Sequence, residues 1–266
     1  MILRLNSVGA DVGSLQQRLF TQGFKIERTN VYDERTEAVI RQTQARAGLV
    51  VDGIYGPKTE AYLKGSETGV YMKQSNLVAA AQKLGVDLAS VMAVNEVEST
   101  GTGFIELGMP RILFERHVFW RRLVVYDVDP KPLALKFPGV VSQQRGGYAG
   151  GRSEYTRLAV AVEIHADAAY EACSWGAFQI MGYHAKALGF ESVREFVAYM
   201  RESEGNHLDA FVRFILADPS LHRALVGRKW ATFARLYNGP AYADNLYDVK
   251  LARAFKRYEQ WIKDAS

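Results

Sequence analysis

The chain has 266 residues, of which 48% are hydrophobic and 23% are charged, a balance that allows two modest domains and excludes a disordered or fibrous protein. Cys173 is the single cysteine, so an intramolecular disulfide is excluded, and no apolar run reaches the about 18 residues that a membrane helix needs. The formal net charge of +4 favours an acidic partner, which could be a nucleic acid, an anionic membrane or a cell wall; no strong nucleic-acid motif is present.

The N-terminal residues lack the charged, apolar and small-residue pattern of a secretory signal, so we expect a soluble protein that is made and folded in a cytoplasm. The first predicted element is a helix in "DVGSLQQRLFTQGF", residues 11–24. Val12, Leu15 and Leu19 recur there at roughly helical spacing, and Gly23 suits a C-cap.

Two similar segments follow, "NVYDERTEAVI" at residues 30–40 and "VVDGIYGPKTEAYL" at residues 50–63. In each, a β-compatible pair ending in Tyr32 or Tyr55 leads into a turn residue, and Thr36 or Thr59 then lies inside a helical run. Each copy therefore predicts a short extended piece that leads into a helix, and the three helices predict a small bundle.

The ordered pattern of V-x-x-L-Q-x-x-L, D-x-x-T-x-x-A-V, Q-x-x-x-G-L and DG-x-x-G-x-x-T resembles the peptidoglycan-binding domain of many cell-wall hydrolases. The resemblance covers about residues 1–64 and implies a shallow groove for a polymer of amino sugars and short peptides. Cap or core contacts are the alternative for each matched residue. The candidate substrate-binding residues here are Tyr32, Asp33, Arg35, Tyr55 and Thr59.

A polar, glycine-containing stretch, "KGSETGVYMKQS", separates this segment from the next helical pattern. We therefore predict a first domain over residues 1–66 and a second over residues 75–266. Asp87 suits the N-cap of a helix that ends at "ESTGTGF", where Gly101 and Gly103 prevent continuation.

Glu98 lies in the last turn of this predicted helix. The negative end of the helix dipole and apolar neighbours such as Val94 both favour the protonated carboxyl, and a raised pKa suits a general acid at neutral pH. Glu96 lies about 200° around the helix and cannot share a site with Glu98. A solvated acid at a helix end is the alternative.

Two downstream motifs, "SWGAFQIMG" at residues 174–182 and "RLYNGPAYADNLY" at residues 235–247, complete a pattern. An E-S pair, then S-x-G-x-x-Q-I-M, then Y-N-G resembles the order in goose-type lysozymes and lytic transglycosylases. The resemblance implies a helix-borne catalytic Glu98, a β-hairpin whose Gln179 lines the cleft, and a turn with Tyr237 and Asn238 opposite. Simple hairpin and loop architecture is the alternative for the last three.

The block "GFIELGMPRILFERHVFWR" directly after the predicted helix is similar to the N-acetylmuramidase domain of phage endolysins. Together with the preceding segment, the chain resembles a modular endolysin of a phage that infects Gram-negative bacteria. That resemblance implies hydrolysis of the glycan between N-acetylmuramic acid and N-acetylglucosamine. It also implies that the protein waits in the host cytoplasm until a holin opens the inner membrane and then acts in the periplasm on the wall.

A second carboxylate is usual in glycosidases, and the candidates are Glu115, Glu163 and Glu171. Glu115 is preferred because it lies in the family-specific "LFERH" block, although an ion pair with Arg116 or Arg152 is an alternative. Goose-type relatives can also work with one dominant Glu.

No cofactor and no metal are expected, because His117 has no second His or Cys at ligand spacing and suits a buried hydrogen-bonding role. The glycine-rich stretch at residues 143–155 lacks the G-K-[ST] ending of a phosphate loop and is interpreted as a mobile flap or a cleft wall. Residues 245–265 form a basic amphipathic pattern that could touch an anionic outer membrane or pack on the domain.

The predicted fold is mainly α: a three-helix peptidoglycan-binding module, then a lysozyme-like α (α+β) domain with a small β-hairpin around residues 174–180. A monomeric, peptidoglycan-degrading endolysin is the favoured function, with peptidoglycan and no nucleic acid as its partner. The alternatives are a lytic transglycosylase that uses the same Glu98 and a non-enzymatic wall-binding phage protein.

Overall fold

The computed structural model describes residues 1–99 and 101–265, and the chain divides into two compact units, Met1–Ala79 and Ala80–Ser266. Thr100, part of the "ESTGTGF" turn, lies outside the described residues. The division follows Ala79, and the domain limits expected at residues 66 and 75 stay a prediction.

The first unit confirms the expected three helices. They are α1 (Ala10–Thr21), α2 (Glu34–Arg46) and α3 (Pro57–Leu63). The carboxylate of Asp33 accepts a hydrogen bond of 2.8 Å from the backbone N–H of Thr36, which caps the start of α2. Pro57 begins α3, where a proline costs no helical hydrogen bond.

An extended N-terminal segment joins the two similar turns of the first unit. Leu3 pairs with Tyr55, and Val8 pairs with Val31. The same short segment thus contacts the residues in front of both α2 and α3. The repetition in the sequence corresponds to two helix-starting turns that share one extended partner.

The second unit is mainly helical, and α4 (Gln74–Leu84) contains the division between the units. The helices that follow in chain order are α5 (Leu88–Glu98), α6 (Arg116–Val125), α7 (Pro130–Lys136), α8 (Ser153–Glu171), α9 (Val193–Met200), α10 (Glu204–Ala217), α11 (Pro219–Val226), α12 (Trp230–Asn238) and α13 (Tyr247–Ala265). Short 3₁₀ helices cover Gly182–His184 and Pro240–Asn245.

Two small antiparallel sheets lie among these helices. The first is a hairpin of β1 (Phe104–Glu106) and β2 (Met109–Pro110). The second contains β3 (Ile112–Phe114), β4 (Cys173–Trp175) and β5 (Ile180–Met181) in the order β3-β4-β5. The expected hairpin is confirmed as β4 and β5, and the structure adds β3 as a third strand that leads directly into Glu115.

The start and the course of α8 both differ from what the sequence suggests. The helix begins at Ser153, so residues 153–155 are helical, whereas the sequence places them in the glycine-rich loop. It also kinks at His165, whose φ of −161° and ψ of 106° are not helical. The ring Nδ1 of His165 accepts a 3.2 Å hydrogen bond from the N–H of Ala168, which supports the helical turn after the kink.

Among the described residues, no single helix has the length and apolar composition to cross a membrane. Counted together, the helices Gln74–Leu84 and Leu88–Glu98 reach that length and apolar composition, and the two are bent by 115° relative to each other.

Candidate active site

Glu98 is the last residue of α5, as the sequence predicts. The helix starts at Leu88 and is capped by Asp87, whose carboxylate accepts a 2.7 Å hydrogen bond from the N–H of Ser90. Val91 and Val94 are buried and hold the helix in the core. The carboxyl group of Glu98, one turn beyond Val94, is half-buried.

Asn238 is the direct partner of this acid. Its Nδ2 donates a 3.0 Å hydrogen bond to Oε1 of Glu98. Asn238 ends α12, and Gly239 follows with a φ of 82°, a left-handed conformation that a glycine adopts without strain and that turns the chain. The Y-N-G motif therefore brings an amide side chain to the end of α5.

Burial raises the pKa of Glu98 to about 7, although the hydrogen bond from Asn238 and the positive charge of Lys250 act in the opposite direction. Near neutral pH a large fraction of Glu98 therefore carries a proton. The Asn238 amide occupies Oε1, so Oε2 is the oxygen from which a proton can be transferred. This is the combination that a general acid needs.

Tyr237 connects the Glu98 site to the hairpin. Its hydroxyl donates a 2.7 Å hydrogen bond to the carbonyl of Phe178, in the turn between β4 and β5. Phe178 is buried and stacks on Phe211 with ring centroids 4.4 Å apart. Burial and the nearby charge of Glu98 both raise the pKa of the Tyr237 hydroxyl, so it stays protonated and keeps this bond.

Gln179 lies at the tip of the same hairpin with a φ of 50°. Its side-chain oxygen accepts a 2.7 Å hydrogen bond from Ser174, and its Nε2 donates to the carbonyl of Gly176 at 2.7 Å. The residue is exposed, but both ends of its amide shape the turn. Substrate contact by Gln179, Tyr237 and Asn238 stays a prediction. Asn238 contacts Glu98 directly, and Tyr237 links the same helix to the hairpin turn that contains Gln179.

Glu115 has a different set of partners. The residue is 7% exposed, and the hydroxyl of Tyr148 donates to the two oxygens of its carboxylate at 3.0 and 2.9 Å. Nδ1 of His117 lies 3.2 Å from Oε2. The expected ion pairs are not the ones formed: Arg116 donates to loop carbonyls, and Arg152 pairs with Glu106.

His117 and the other two candidate acids each have their own partners. Burial lowers the pKa of His117. The negative charge of Glu115 raises this pKa, but three nearby arginines lower it, so the ring is neutral at neutral pH. Glu171 pairs with Arg122 at 2.5 Å, and Glu163 is exposed on α8. The catalytic role expected of Glu115 stays a prediction.

Two residues of α10 that the sequence reading missed hold the loops of this site. The buried carboxylate of Glu204 accepts a 2.6 Å hydrogen bond from the N–H of Gly103, in the turn after Glu98. Nδ1 of the buried His207 accepts from the N–H of Ala177 at 3.2 Å, in the hairpin turn. The sequence carried a signal for these two residues. They lie three residues apart on the apolar face of α10, and polar groups at core positions need hydrogen-bond partners.

Gly103 is required at its position by this packing. A Cβ on Gly103 would lie 2.6 Å from Nδ1 of His207, closer than nonbonded atoms tolerate. The glycine that ends the helical pattern in the sequence thus also permits close approach of α10.

The candidate binding residues of the first unit are mostly in its core. Tyr32, Tyr55 and Thr59 are exposed by 0%, 2% and 2%, and the hydroxyl of Tyr32 donates to the carbonyl of Gly53 at 2.8 Å. This burial is not what we expected of residues that contact a polymer. Their binding role stays a prediction, and the geometry favours a role in the core.

Asp33 and Arg35 lie nearer to the surface of the same unit. Asp33 is half-buried as the cap of α2, and Arg35 is exposed with its guanidinium bonded to the carbonyl of Lys25 at 2.9 and 3.2 Å. Of the five candidates, these two are the ones that a surface ligand could reach.

Two buried glutamines, which the sequence reading did not single out, organise the repeated turns. Nε2 of Gln16 donates to Thr36 at 3.0 Å, and Nε2 of Gln44 donates to Thr59 at 3.2 Å. Each side-chain oxygen accepts backbone N–H groups of the preceding turn, for example that of Gly53 at 2.9 Å for Gln44. The shared threonine of the two segments is therefore the partner of a glutamine on the preceding helix.

A half-buried acid at a helix end, an amide donor on it and a small sheet beside it place the larger unit in the class of lysozyme-like glycosidase domains. A family model described as "N-acetylmuramidase" matches residues 87–259, and one described as "Putative peptidoglycan binding domain" matches residues 8–63. The chain belongs to the N-acetylmuramidase family. The resemblance to a modular endolysin with a leading wall-binding domain is confirmed.

A solved structure described as the crystal structure of Burkholderia AP3 phage endolysin is 50% identical, with a TM-score of 0.92 over 98% of this chain and 100% of that chain. Two curated proteins of Bacillus licheniformis match shorter stretches. The N-acetylmuramoyl-L-alanine amidase CwlL is 38% identical over 65 residues, and a protein named "Probable N-acetylmuramoyl-L-alanine amidase" is 36% identical over 70 residues, or 23% and 25% of this chain. The chain spans about a fifth of the length of these curated relatives, 18% and 20%.

Proposed function

We propose that the chain is a peptidoglycan-degrading endolysin that hydrolyses the β-1,4 bond between N-acetylmuramic acid and N-acetylglucosamine, with Glu98 as the general acid. The observation that carries the proposal is the half-buried Glu98 carboxyl with a pKa of about 7, bonded by Asn238. Membership of the N-acetylmuramidase family and the likeness to a phage endolysin support the bond and the substrate.

In this mechanism Oε2 of Glu98 gives its proton to the glycosidic oxygen as the bond from that oxygen to C1 breaks. Positive charge then develops at C1, and a water supplies the hydroxyl that completes the reducing end. The remaining proton of that water restores the acid. Asn238 fixes the orientation of the carboxyl through Oε1. Glu115 is the candidate for the second carboxylate, although Tyr148 already occupies both of its oxygens.

Replacing Asn238 with alanine should shift the pH profile. Activity falls as pH rises through the pKa of Glu98, because the proton donor is lost. The Asn238 hydrogen bond stabilises the carboxylate and lowers that pKa, so in Asn238→Ala we expect the alkaline limb of kcat to move to higher pH. We also expect kcat at pH 6 to fall by about tenfold as the carboxyl loses its orientation.

Initial rates on purified peptidoglycan from pH 5 to pH 9 measure both effects. Asn245→Ala, in the exposed 3₁₀ helix that follows, is the matched control and should keep the profile of the unmodified chain. An alkaline limb of Asn238→Ala that stays in place or moves to lower pH contradicts the assigned role of the amide.

We propose that the first unit holds the enzyme near its insoluble substrate and so raises the effective concentration of glycan at the active site. Deleting residues 1–64 should lower activity on whole walls by about tenfold or more but leave activity on short soluble glycans nearly unchanged. Turbidity loss of wall suspensions and reducing-end release from soluble glycans measure the two activities. The soluble assay also shows that the shortened chain is folded, and an equal loss on both substrates would refute the anchoring role.

The exposed side of α13 suits a second contact. Its basic residues Lys250, Arg253, Lys256 and Lys263 are exposed, whereas Leu251, Ala254, Phe255 and Tyr258 on the other side are buried. We propose that a monomer acts from the host cytoplasm through a holin-made opening, with peptidoglycan and no nucleic acid as its partner. Because the exposed side of α13 is basic, we further propose that this side touches an anionic outer membrane. Sedimentation with anionic and neutral lipid vesicles checks this contact, which predicts binding to the anionic vesicles alone.

A further inference from the structure

The glycine-rich segment in front of α8, here called the tyrosine loop (residues 143–151), is fixed at several points. The carboxylate of Glu154 accepts hydrogen bonds from the N–H groups of Ala149 and Gly150 at 2.6 and 2.8 Å. Nε of Arg116 donates to the carbonyl of Gln144 at 3.0 Å. The mobile flap considered from the sequence is thus a loop tied to the domain, as the cleft-wall interpretation requires.

Tyr148 is the aromatic residue at the centre of this loop. The residue is 41% exposed, yet its hydroxyl is held. The hydroxyl donates between the two oxygens of Glu115 at 3.0 and 2.9 Å and accepts from Nε of Arg145 at 3.2 Å. A buried carboxylate is costly without hydrogen bonds, so this contact satisfies Glu115 and at the same time fixes the ring.

The residues that directly follow the tyrosine loop contact the β1–β2 hairpin. The hydroxyl of Tyr155, at the start of α8, donates to the carbonyl of Pro110 in β2 at 2.7 Å, and Arg152 pairs with Glu106 in β1. The β1–β2 hairpin in turn begins at the turn that follows Glu98. Nε of Arg111 donates to the carbonyl of Thr102 in that turn at 2.7 Å. The hairpin therefore contacts the start of α8, directly after the tyrosine loop, and leads back to the turn after the proposed general acid.

We propose that Tyr148 is a stacking platform for a sugar ring of the glycan strand. In this proposal Glu115, whose two oxygens both accept from Tyr148, is a positioning residue that holds the platform, in place of the role of second catalytic carboxylate considered above. The inference rests on the proposed glycan hydrolysis and adds a binding subsite to it. A pyranose presents a face of C–H groups, which packs on the face of an exposed aromatic ring. A ring that is fixed before binding loses little conformational entropy when the sugar arrives, and the glycan gains affinity.

The test uses the full chain and a soluble tetrasaccharide of alternating N-acetylglucosamine and N-acetylmuramic acid. Tyr148→Ala is expected to raise KM by about tenfold, the size of an aromatic contact, with kcat changed by less than about twofold. Tyr148→Trp keeps an aromatic ring and supplies an indole N–H that can donate to Glu115, so it should restore KM to within about threefold of the unmodified chain. Leu216→Ala, which removes an apolar side chain of similar exposure, 44%, is the matched control and should change neither constant.

Glu115 is tested in the same assay. Glu115→Ala should raise KM about as much as Tyr148→Ala does, whereas Glu115→Gln keeps an acceptor for the hydroxyl and should raise KM by only about threefold. If Glu115 is instead the second catalytic carboxylate, Glu115→Gln loses kcat while Tyr148→Ala keeps the KM of the unmodified chain, and the inference is overturned.

An unchanged KM in Tyr148→Ala overturns the stacking role even when Glu115→Gln is active. Failure of the proposed function looks different, because the unmodified chain would then release no reducing ends from the tetrasaccharide. Thermal unfolding of each variant identifies a loss of fold, and Tyr148→Trp keeps the test decisive if the alanine variant does not fold.

Discussion

Replacing Glu98 with glutamine is expected to lower kcat on purified peptidoglycan by about a thousandfold, the usual contribution of a general acid. Glutamine keeps the size of the side chain and can still accept the hydrogen bond from Asn238, but it has no proton to give to the glycosidic oxygen. Substrate binding should change little, because the amide fills the same space. Mass spectrometry of soluble fragments released from purified walls measures the loss.

Glu96→Gln is the matched control on the same helix. Glu96 faces away from the site and accepts a 2.6 Å hydrogen bond from the hydroxyl of Tyr258 on α13, with Arg257 as its ion-pair partner. A glutamine there still accepts from Tyr258, so the variant should keep most of its activity. Equal activity of Glu98→Gln and the unmodified chain would exclude Glu98 as the acid.

The chemical form of the fragments separates the three candidate functions. Reducing muropeptides from the unmodified chain show hydrolysis, whereas anhydro products show a lytic transglycosylase in which the sugar's own hydroxyl replaces water. If neither the unmodified chain nor Glu98→Gln releases fragments, the non-enzymatic wall-binding protein is the remaining candidate function. Glu98 is common to the first two reactions, so the variant alone does not distinguish them.

Replacing Glu154 with alanine should lower the free energy of unfolding by about 3–5 kcal/mol, the cost of leaving a buried ion-pair partner alone. Glu154 is 0% exposed and accepts from Arg157 at 2.7 Å and from the N–H of Phe114 at 3.2 Å, besides the two N–H groups of the tyrosine loop. Alanine leaves the Arg157 charge and several donors without this acceptor. Thermal unfolding should show a melting temperature lower by roughly 10 °C.

The same contacts give the stability a pH dependence. Burial alone would raise the pKa of Glu154, but the N–H groups of Gly150, Ala149 and Phe114 and the charge of Arg157 outweigh it and lower the pKa. The stabilisation is therefore present above the pKa that Glu154 has in the unfolded chain, and it is lost as pH falls through the lowered pKa of the folded chain. The difference in free energy of unfolding between the unmodified chain and Glu154→Ala should thus shrink in acid.

Glu163→Ala, on the exposed side of the same helix, is the control and should change the free energy of unfolding by less than about 0.5 kcal/mol. Similar small effects of the two substitutions would show that the Glu154 cluster does not stabilise the domain. A loss that persists unchanged at pH 3 would contradict the pH dependence.

The order of elements around the candidate site could be predicted because it depends on local signals. Asp87 starts α5 and the glycines after Glu98 end it, while Gly239 ends α12 directly after Asn238. Capping residues and glycines act on the few backbone groups next to them, so a sequence displays them directly. The candidate site residues Glu98, Gln179, Tyr237 and Asn238 are predicted from motifs that lie at such turns.

Partners from distant parts of the chain could not be predicted in the same way. Glu204 reaches Gly103 across 101 positions, and Asn238 reaches Glu98 across 140. The choice of Tyr148 rather than Arg116 or Arg152 as the partner of Glu115 likewise depends on how the tyrosine loop folds over β3 and α6. Residue type indicates that a buried acid needs a donor, but only the packed chain selects the donor.

By itself the sequence determined the mainly helical class, the starts and ends of the key helices, and the family motifs that single out Glu98. Tertiary structure decided that burial raises the pKa of Glu98 to about 7 and that Tyr32 and Tyr55 lie in the core. The physical reason is that desolvation depends on every group packed around an atom. Most of those groups come from remote segments, whereas caps and turns depend on neighbours along the chain.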